Sequence, residues 1–211
     1  TLYERLLAID TDDVEALNYL AVVAGGRRDY QAALALLGRA STAHPLDATT
    51  WRNLGMCTLA AGDASGAVAA FDRAVALEPS HASSHLQRAH ALERSGRIPE
   101  STAAYLRALS EARRIGQWVS DESTPPGLRG LVQHAVIQVR AGNRELLAGL
   151  MAPLVQRHGT DAMRRVARMA ANYVGDVPER PRDPRQRPTF LYFPGLPETP
   201  YFERGVFDWY E

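Results

Sequence analysis

A single cysteine, Cys57, stands in 211 residues. No internal disulfide framework can hold this chain, and the composition fits a reducing, cytoplasmic setting. Cys57 has no basic sequence neighbour to lower its pKa and reads as a small apolar core residue, not a reactive thiol. Neither sign of charge is in excess, with 24 Lys and Arg against 24 Asp and Glu. That balance excludes long-range attraction to nucleic acid or to an anionic membrane surface. No apolar run approaches the ~18 residues of a membrane-spanning helix, and no signal peptide is visible. Glycine-rich phosphate loops, nucleophile elbows and cysteine–histidine zinc spacings are missing too. His81 and His85 are four apart and could share a helix face, as metal-binding pairs do. No acidic third ligand stands at a matching spacing, and His90 lies ~140° further round the helix from His85, so these read as repeat-surface histidines. A chain of this length buries ~70% of its unfolded surface without staples.

What the chain does have is a period. The stretch 48–80 repeats on both sides at a spacing of 34 residues. With Ala48 as position 1, Trp51, Leu54 and Gly55 take positions 4, 7 and 8, and Ala67, Phe71, Ala74 and Pro79 take 20, 24, 27 and 32. This pattern resembles the tetratricopeptide repeat, a helix–turn–helix unit whose small residues mark close helix approach. The resemblance implies an all-α solenoid.

The preceding unit spans 14–47, with Leu17, Leu20, Ala21, Ala33, Leu37, Ala40 and Pro45 at the same positions. Residues 1–12 read as the second helix of an earlier, half-present unit, which predicts that Thr1 is a cut end. Asp13 and Asp47 sit where a side-chain oxygen caps a first helix. Gly25-Gly26 and Gly62 mark turns. The unit 82–115 is degenerate: His85 and Arg88 replace apolar residues, and Arg113 replaces the helix-stopping proline, so its last helix is expected to run on toward Ile115. Loss of pattern at an array end suits a capping repeat.

Residues 116–175 are expected to form a helical bundle. Its first helix carries the stripe Leu128, Leu131, Val132, Ala135, Val136 and Val139. A second covers 143–158, kinked near Gly149 by Pro153. A third covers 161–174, with Met163, Val166, Ala167, Ala170 and Tyr173 on one face. Residues 176–188, with four prolines and alternating charge, read as an extended linker. Residues 189–211 then hold eight of the chain's 16 aromatics. So short a segment cannot bury that surface alone. It requires the helices, another chain or a further domain, and self-association through it is a plausible outcome.

The run Arg187-Pro188-Thr189-Phe190-Leu191-Tyr192-Phe193-Pro194-Gly195-Leu196-Pro197, followed by Pro200, resembles the start of the aspartyl/asparaginyl β-hydroxylase domain. That family carries Phe-Pro-Gly-Leu near its beginning and then Pro-Trp, and here Tyr201 takes the tryptophan position. The resemblance implies a parent protein with an Fe(II)- and 2-oxoglutarate-dependent oxygenase core, and makes 189–211 an incomplete β element leading into that missing C-terminal domain. It assigns no catalytic, cofactor-binding or metal residue here, because all six histidines precede the match. This chain is expected to be non-catalytic alone. A stand-alone tetratricopeptide adaptor is the alternative.

The candidate binding surface is the concave face lined by the first helix of each unit. By the resemblance, positions 2, 5, 9 and 12 point into it. Asn18, Arg52, Met56, His90 and Glu93 are the candidate residues for a protein or peptide partner. With chiefly Asn18 and Arg52 as polar donors, and Val22, Met56, Leu59 and Leu86 apolar, the face does not look built for a terminal carboxylate. Covering a neighbouring stretch of its own chain is the competing reading.

Overall fold

The computed structural model describes residues 2–175. The expected linker and the expected β element, with the hydroxylase-like motif, lie outside the described residues. Nine α-helices are described: α1 (Leu2–Ile9), α2 (Val14–Gly26), α3 (Tyr30–Ala43), α4 (Ala48–Ala60), α5 (Ala64–Leu77), α6 (Ala82–Arg94), α7 (Ile98–Arg114), α8 (Arg129–His158) and α9 (Thr160–Tyr173). There is no strand among the described residues. The array is an all-α tetratricopeptide solenoid in which α2–α3, α4–α5 and α6–α7 are successive helix pairs.

The helices start where the chain supplies acceptors. Asp13 Oδ1 accepts from Ala16 N at 2.7 Å and Asp47 Oδ2 from Thr50 N at 2.7 Å. Asp29 and Asp63 cap the second helices in the same way, at 3.1 and 2.8 Å. Each satisfies a donor that the helix itself leaves unpaired. In the degenerate unit His81 takes the aspartate's place, its Nδ1 accepting from Ser84 N at 3.2 Å. Arg97, the next equivalent, makes no side-chain cap.

The core follows the period. Leu37, Phe71 and Tyr105, all at position 24, have no exposed surface. They sit in clusters with the small residues Ala21 and Ala33 in one case, and Ala67, Ala89, Ala104 and Ala108 in the other. Burying side chains of this size contributes ~1.5–3 kcal/mol each. Position 4 carries a second device. Trp51 Nε1 donates to the carbonyl of Pro45 at 2.9 Å, and His85 Nε2 donates to that of Pro79 at 2.8 Å. His85 is therefore not a surface histidine: it is buried and replaces the indole N–H with an imidazole one.

The chain divides into two compact units with the boundary after Gly142. It falls inside α8, and not at 115/116 where the bundle was expected to begin. In the first unit, Val132, Ala135 and Val139 of α8 join the core of Phe71, Leu86, Leu92 and Tyr105. The two helices expected at 128–139 and 143–158 are one helix of 30 residues. A glycine inside a helix costs only ~1 kcal/mol relative to alanine. Here Gly142 lets α8 approach α7: a Cβ on it would fall 2.6 Å from Thr102 Cγ2. Pro153 does not end the helix.

In the second unit, α9 begins after Gly159, whose φ of 81° suits glycine. Met163, Val166, Met169, Ala170 and Val174 form its half-buried to buried face, whereas Ala167 and Tyr173 are exposed. The seam is thus rotated from the one expected, toward Met169 and Val174.

Candidate functional site

The first helices α2, α4 and α6 carry the expected binding face, but the structure sorts its positions differently. Position 5 belongs to packing. Asn18 is nearly buried: its Nδ2 donates to Val14 O at 2.9 Å and Thr50 Oγ1 at 2.7 Å, and its Oδ1 accepts from Asn53 Nδ2 at 2.8 Å. Thr50 Oγ1 in turn donates to Asp47 Oδ2. Asn18 is therefore the pivot of a hydrogen-bond relay that ties α2 to α4, with its donors and acceptor already used. Arg52 donates to Glu78 Oε2 and, at 2.7 Å, to Thr49 Oγ1. Leu86, the third position-5 residue, is wholly buried.

Position 9 is open. Val22 and Met56 are each about half exposed, at 54% and 50%. The residue type that sequence reasoning missed is position 6, occupied by Tyr19 and Asn53. At ~100° per residue, position 6 lies on the open side of positions 2 and 9, whereas position 5 is turned ~60° from position 2 toward the neighbouring unit. The 34-residue spacing carried that signal.

These residues line two cavities. One, of about 410 Å³, is bounded by Tyr3, Glu15, Tyr19, Val22, Thr49 and Asn53. The other, of about 300 Å³, is bounded by Val22, Tyr30, Asn53, Met56, Cys57 and Ala60. Val22 and Asn53 border both, so the two make one trough. Tyr3 of α1 stacks on Tyr19 with ring centroids 4.1 Å apart and donates from its hydroxyl to Glu15 Oε1 at 3.3 Å. Cys57 is a buried free thiol, and burial pushes its pKa up. The raised pKa disfavours the thiolate, so Cys57 acts as a packing residue of the trough wall. The trough is aromatic and apolar, with amide and carboxylate edges.

His90 and Glu93 lie in a half-buried cluster. Glu93 accepts from Tyr105 Oη at 2.7 Å and from His134 Nε2 at 2.8 and 2.9 Å, while the Tyr105 and His134 rings meet edge-on at 5.9 Å. Burial raises the Glu93 pKa, but the hydrogen bonds from Tyr105 and His134 outweigh it and hold the carboxyl below its ordinary value. Burial pushes the Tyr105 phenol well up, and the Glu93 hydrogen bond adds to this. His90 is held low by burial, with Arg94 and His134 adding and Glu93 opposing. Its Nδ1 is shut off from solvent without a hydrogen-bond partner. So the sequence-derived residues separate: Met56 and Asn18 line the trough, Arg52 braces Thr49 of its wall, and His90 and Glu93 belong to the junction with α8. His134, which sequence reading left unassigned, completes that junction.

No group of three or more His, Cys, Asp and Glu among the described residues could hold a metal ion. No helix among the described residues is long and apolar enough to cross a membrane.

No curated protein matches the chain. The tetratricopeptide repeat profile matches residues 20–82 and again 58–115. Residues 20–115 are tetratricopeptide repeats. Among solved structures, the array is similar to the Yersinia enterocolitica type III secretion chaperone SycD in complex with a peptide of the translocator YopD, at 17% identity and TM-score 0.52, covering 63% of this chain and 94% of that one. It is similar to MamA at 21% identity and TM-score 0.51, covering 65% of this chain and 81% of that one. A second MamA structure, from MSR-1, matches at 23% identity and TM-score 0.49, and the match covers 55% of this chain and 66% of the MamA chain. These likenesses describe the tetratricopeptide fold.

Proposed function

We propose that this chain is a protein-interaction region whose trough, formed by α1, α2 and α4 with Tyr30 of α3, takes an extended, largely apolar peptide segment. The observation that carries the reading is the exposure of Tyr19, Val22 and Met56 side by side over the two joined cavities. Exposed apolar residues grouped in a concavity mark a recognition surface. Asn53 supplies an amide for the peptide backbone. Arg52 and Asn18 are committed elsewhere, which argues against a terminal carboxylate as the recognised group. SycD, of the same fold, is seen with a translocator peptide, in keeping with a peptide ligand.

The wider role we propose is support and substrate recruitment for an aspartyl/asparaginyl β-hydroxylase-like dioxygenase. Residues 187–197 carry that reading. By that resemblance Fe(II) and 2-oxoglutarate would belong to a C-terminal oxygenase domain. A cytoplasmic site keeps the Cys57 thiol reduced. The alternative, a stand-alone adaptor, uses the same trough.

Two measurements separate these. The gene product taken from its native cell, detected through the repeats, should exceed 23.2 kDa by ~15 kDa or more, the size of a further domain. That form should consume 2-oxoglutarate in the presence of Fe(II). A product of 23.2 kDa without turnover leaves the adaptor. Panning a displayed peptide library on the chain should return apolar sequences that a Met56→Glu variant no longer binds. Equal binding by the variant would remove the trough from either reading.

A further inference from the structure

The second half of α8 carries an apolar stripe that its own packing does not use. Leu147, Met151 and Val155 are half-buried and form one seam of the helix. Immediately beside it, Leu146, Leu150 and Leu154 remain 62%, 59% and 43% exposed. Spaced by four, these three leucines share a face over ~12 Å of helix. A surface helix normally turns an apolar stripe of this kind toward a partner layer.

We propose that the occupant is residues 189–211 of the same chain, docking as an aromatic segment on Leu146, Leu150 and Leu154. Three properties favour it. The segment carries eight aromatics in 23 residues, more apolar surface than it can bury on itself. Its charge is complementary. Residues 143–175 hold five arginines against two acids, a net +3, whereas 189–211 hold four acids against one arginine, a net −3. And the tether reaches. Along the helices, Leu150 to Gly159 is ~14 Å and Gly159 to Gly175 ~24 Å, so whatever the angle between α8 and α9 the gap is at most ~38 Å. The 13 residues of 176–188, with four prolines, span ~40 Å when extended.

A second copy of the chain is the weaker occupant. Two such stripes would bring like charges together, and three leucines offer far less than the ~800 Å² per partner of a stable interface. A tethered segment needs no such area, because a short linker holds it at an effective concentration near the millimolar range. The inference does not depend on the oxygenase reading: it applies whether 189–211 opens a further domain or ends in this contact.

The test uses the full chain with benzoylphenylalanine in place of Leu150. Irradiation should attach it to a peptide from 189–211 within a monomeric species. Attachment in a dimeric species would transfer the stripe to a second copy, and no attachment to 189–211 would remove the proposal. Amide exchange provides an independent reading. Leu150→Asp should speed exchange of 189–211 at least tenfold and leave residues 48–77 unchanged. Ala152→Asp, the same charge at an exposed position off the stripe, should leave 189–211 as in the parent chain. Equal exchange in all three proteins, or equal loosening by both variants, overturns the contact. The oxygenase assay above is read separately, so either idea can fail without the other.

Discussion

The ring of Phe71 occupies the space that a side chain at residue 55 would need: a Cβ on Gly55 would fall 2.8 Å from Phe71 Cε1 and Cζ. Phe71 is fully buried and cannot yield without opening the core between successive units. Gly55→Ala should therefore destabilise the chain by ~1–3 kcal/mol through overpacking. Gly38 is the control. It lies inside α3 with nothing within 4 Å of its would-be Cβ, so Gly38→Ala should stabilise by ~0.5–1 kcal/mol. Urea midpoints of the two variants should move in opposite directions.

His85→Phe keeps the ring and removes the donor to the Pro79 carbonyl. Losing that bond should cost ~0.5–1.5 kcal/mol, measured as a lower thermal midpoint. Trp51→Phe should behave alike at the Pro45 carbonyl. Neither change should follow if the two N–H groups are ornamental.

Tyr105→Phe removes one of the donors that hold the Glu93 carboxylate. The variant should lose ~1–2 kcal/mol, and its Glu93 pKa should rise, since a bond favouring the charged form has gone. With a depressed folded pKa, Glu93 contributes stability that is present above the ordinary carboxylate range and lost as pH falls through the folded value. Carboxyl-carbon NMR of Glu93 reads the shift directly.

His90 gives a second pH dependence, nearer neutrality. Burial holds its folded pKa below the unfolded value of ~6.5. The unfolded chain thus takes up the proton first on acidification. The stability is complete above ~6.5 and is lost as pH falls through the folded pKa. His81, lowered by burial and by Arg52 and His85 against Glu78, acts in the same direction. The thermal midpoint should drop between pH 7.5 and 5.5, and less so in His90→Gln. An identical drop in the variant would take His90 out of the effect.

Met56→Glu places a charge on an open wall of the trough. Met56 is half exposed, so stability should change by no more than ~0.5 kcal/mol, while apolar peptides selected on the parent chain should bind at least tenfold more weakly. Titration calorimetry reports both affinity and stoichiometry.

The repeats were legible because position-specific sterics recur every 34 residues: Gly55 or Ala21 at one offset and Phe71 or Leu37 at another need no long-range information. The caps Asp13 and Asp47 were legible for the same reason, as was the extension of α7 to Arg114 once proline was missing. The trough was only half legible. Asn18 lines the trough, but its amide is taken up by the relay through Thr50 and Asn53, which exists only when α2 and α4 are brought together. The Glu93–His134 contact joins residues 41 apart across the end of the periodic pattern, so no offset announced it. The stripe 128–139 and the stretch 143–158 were read as two helices, whereas α8 runs through both and Gly142 accommodates Thr102. Tyr173 was placed inward by a helical period that the actual seam misses by part of a turn.

Val132, Ala135 and Val139 already share the buried cluster of Tyr105 and Ala108, on the side that one more helix pair would need. The solenoid therefore has a stopped end at α7. A chimera with an additional consensus unit inserted after residue 115 must either displace the start of α8 or leave that unit without a neighbour, so lengthening this array from that side would trade one closure for another rather than extend the trough.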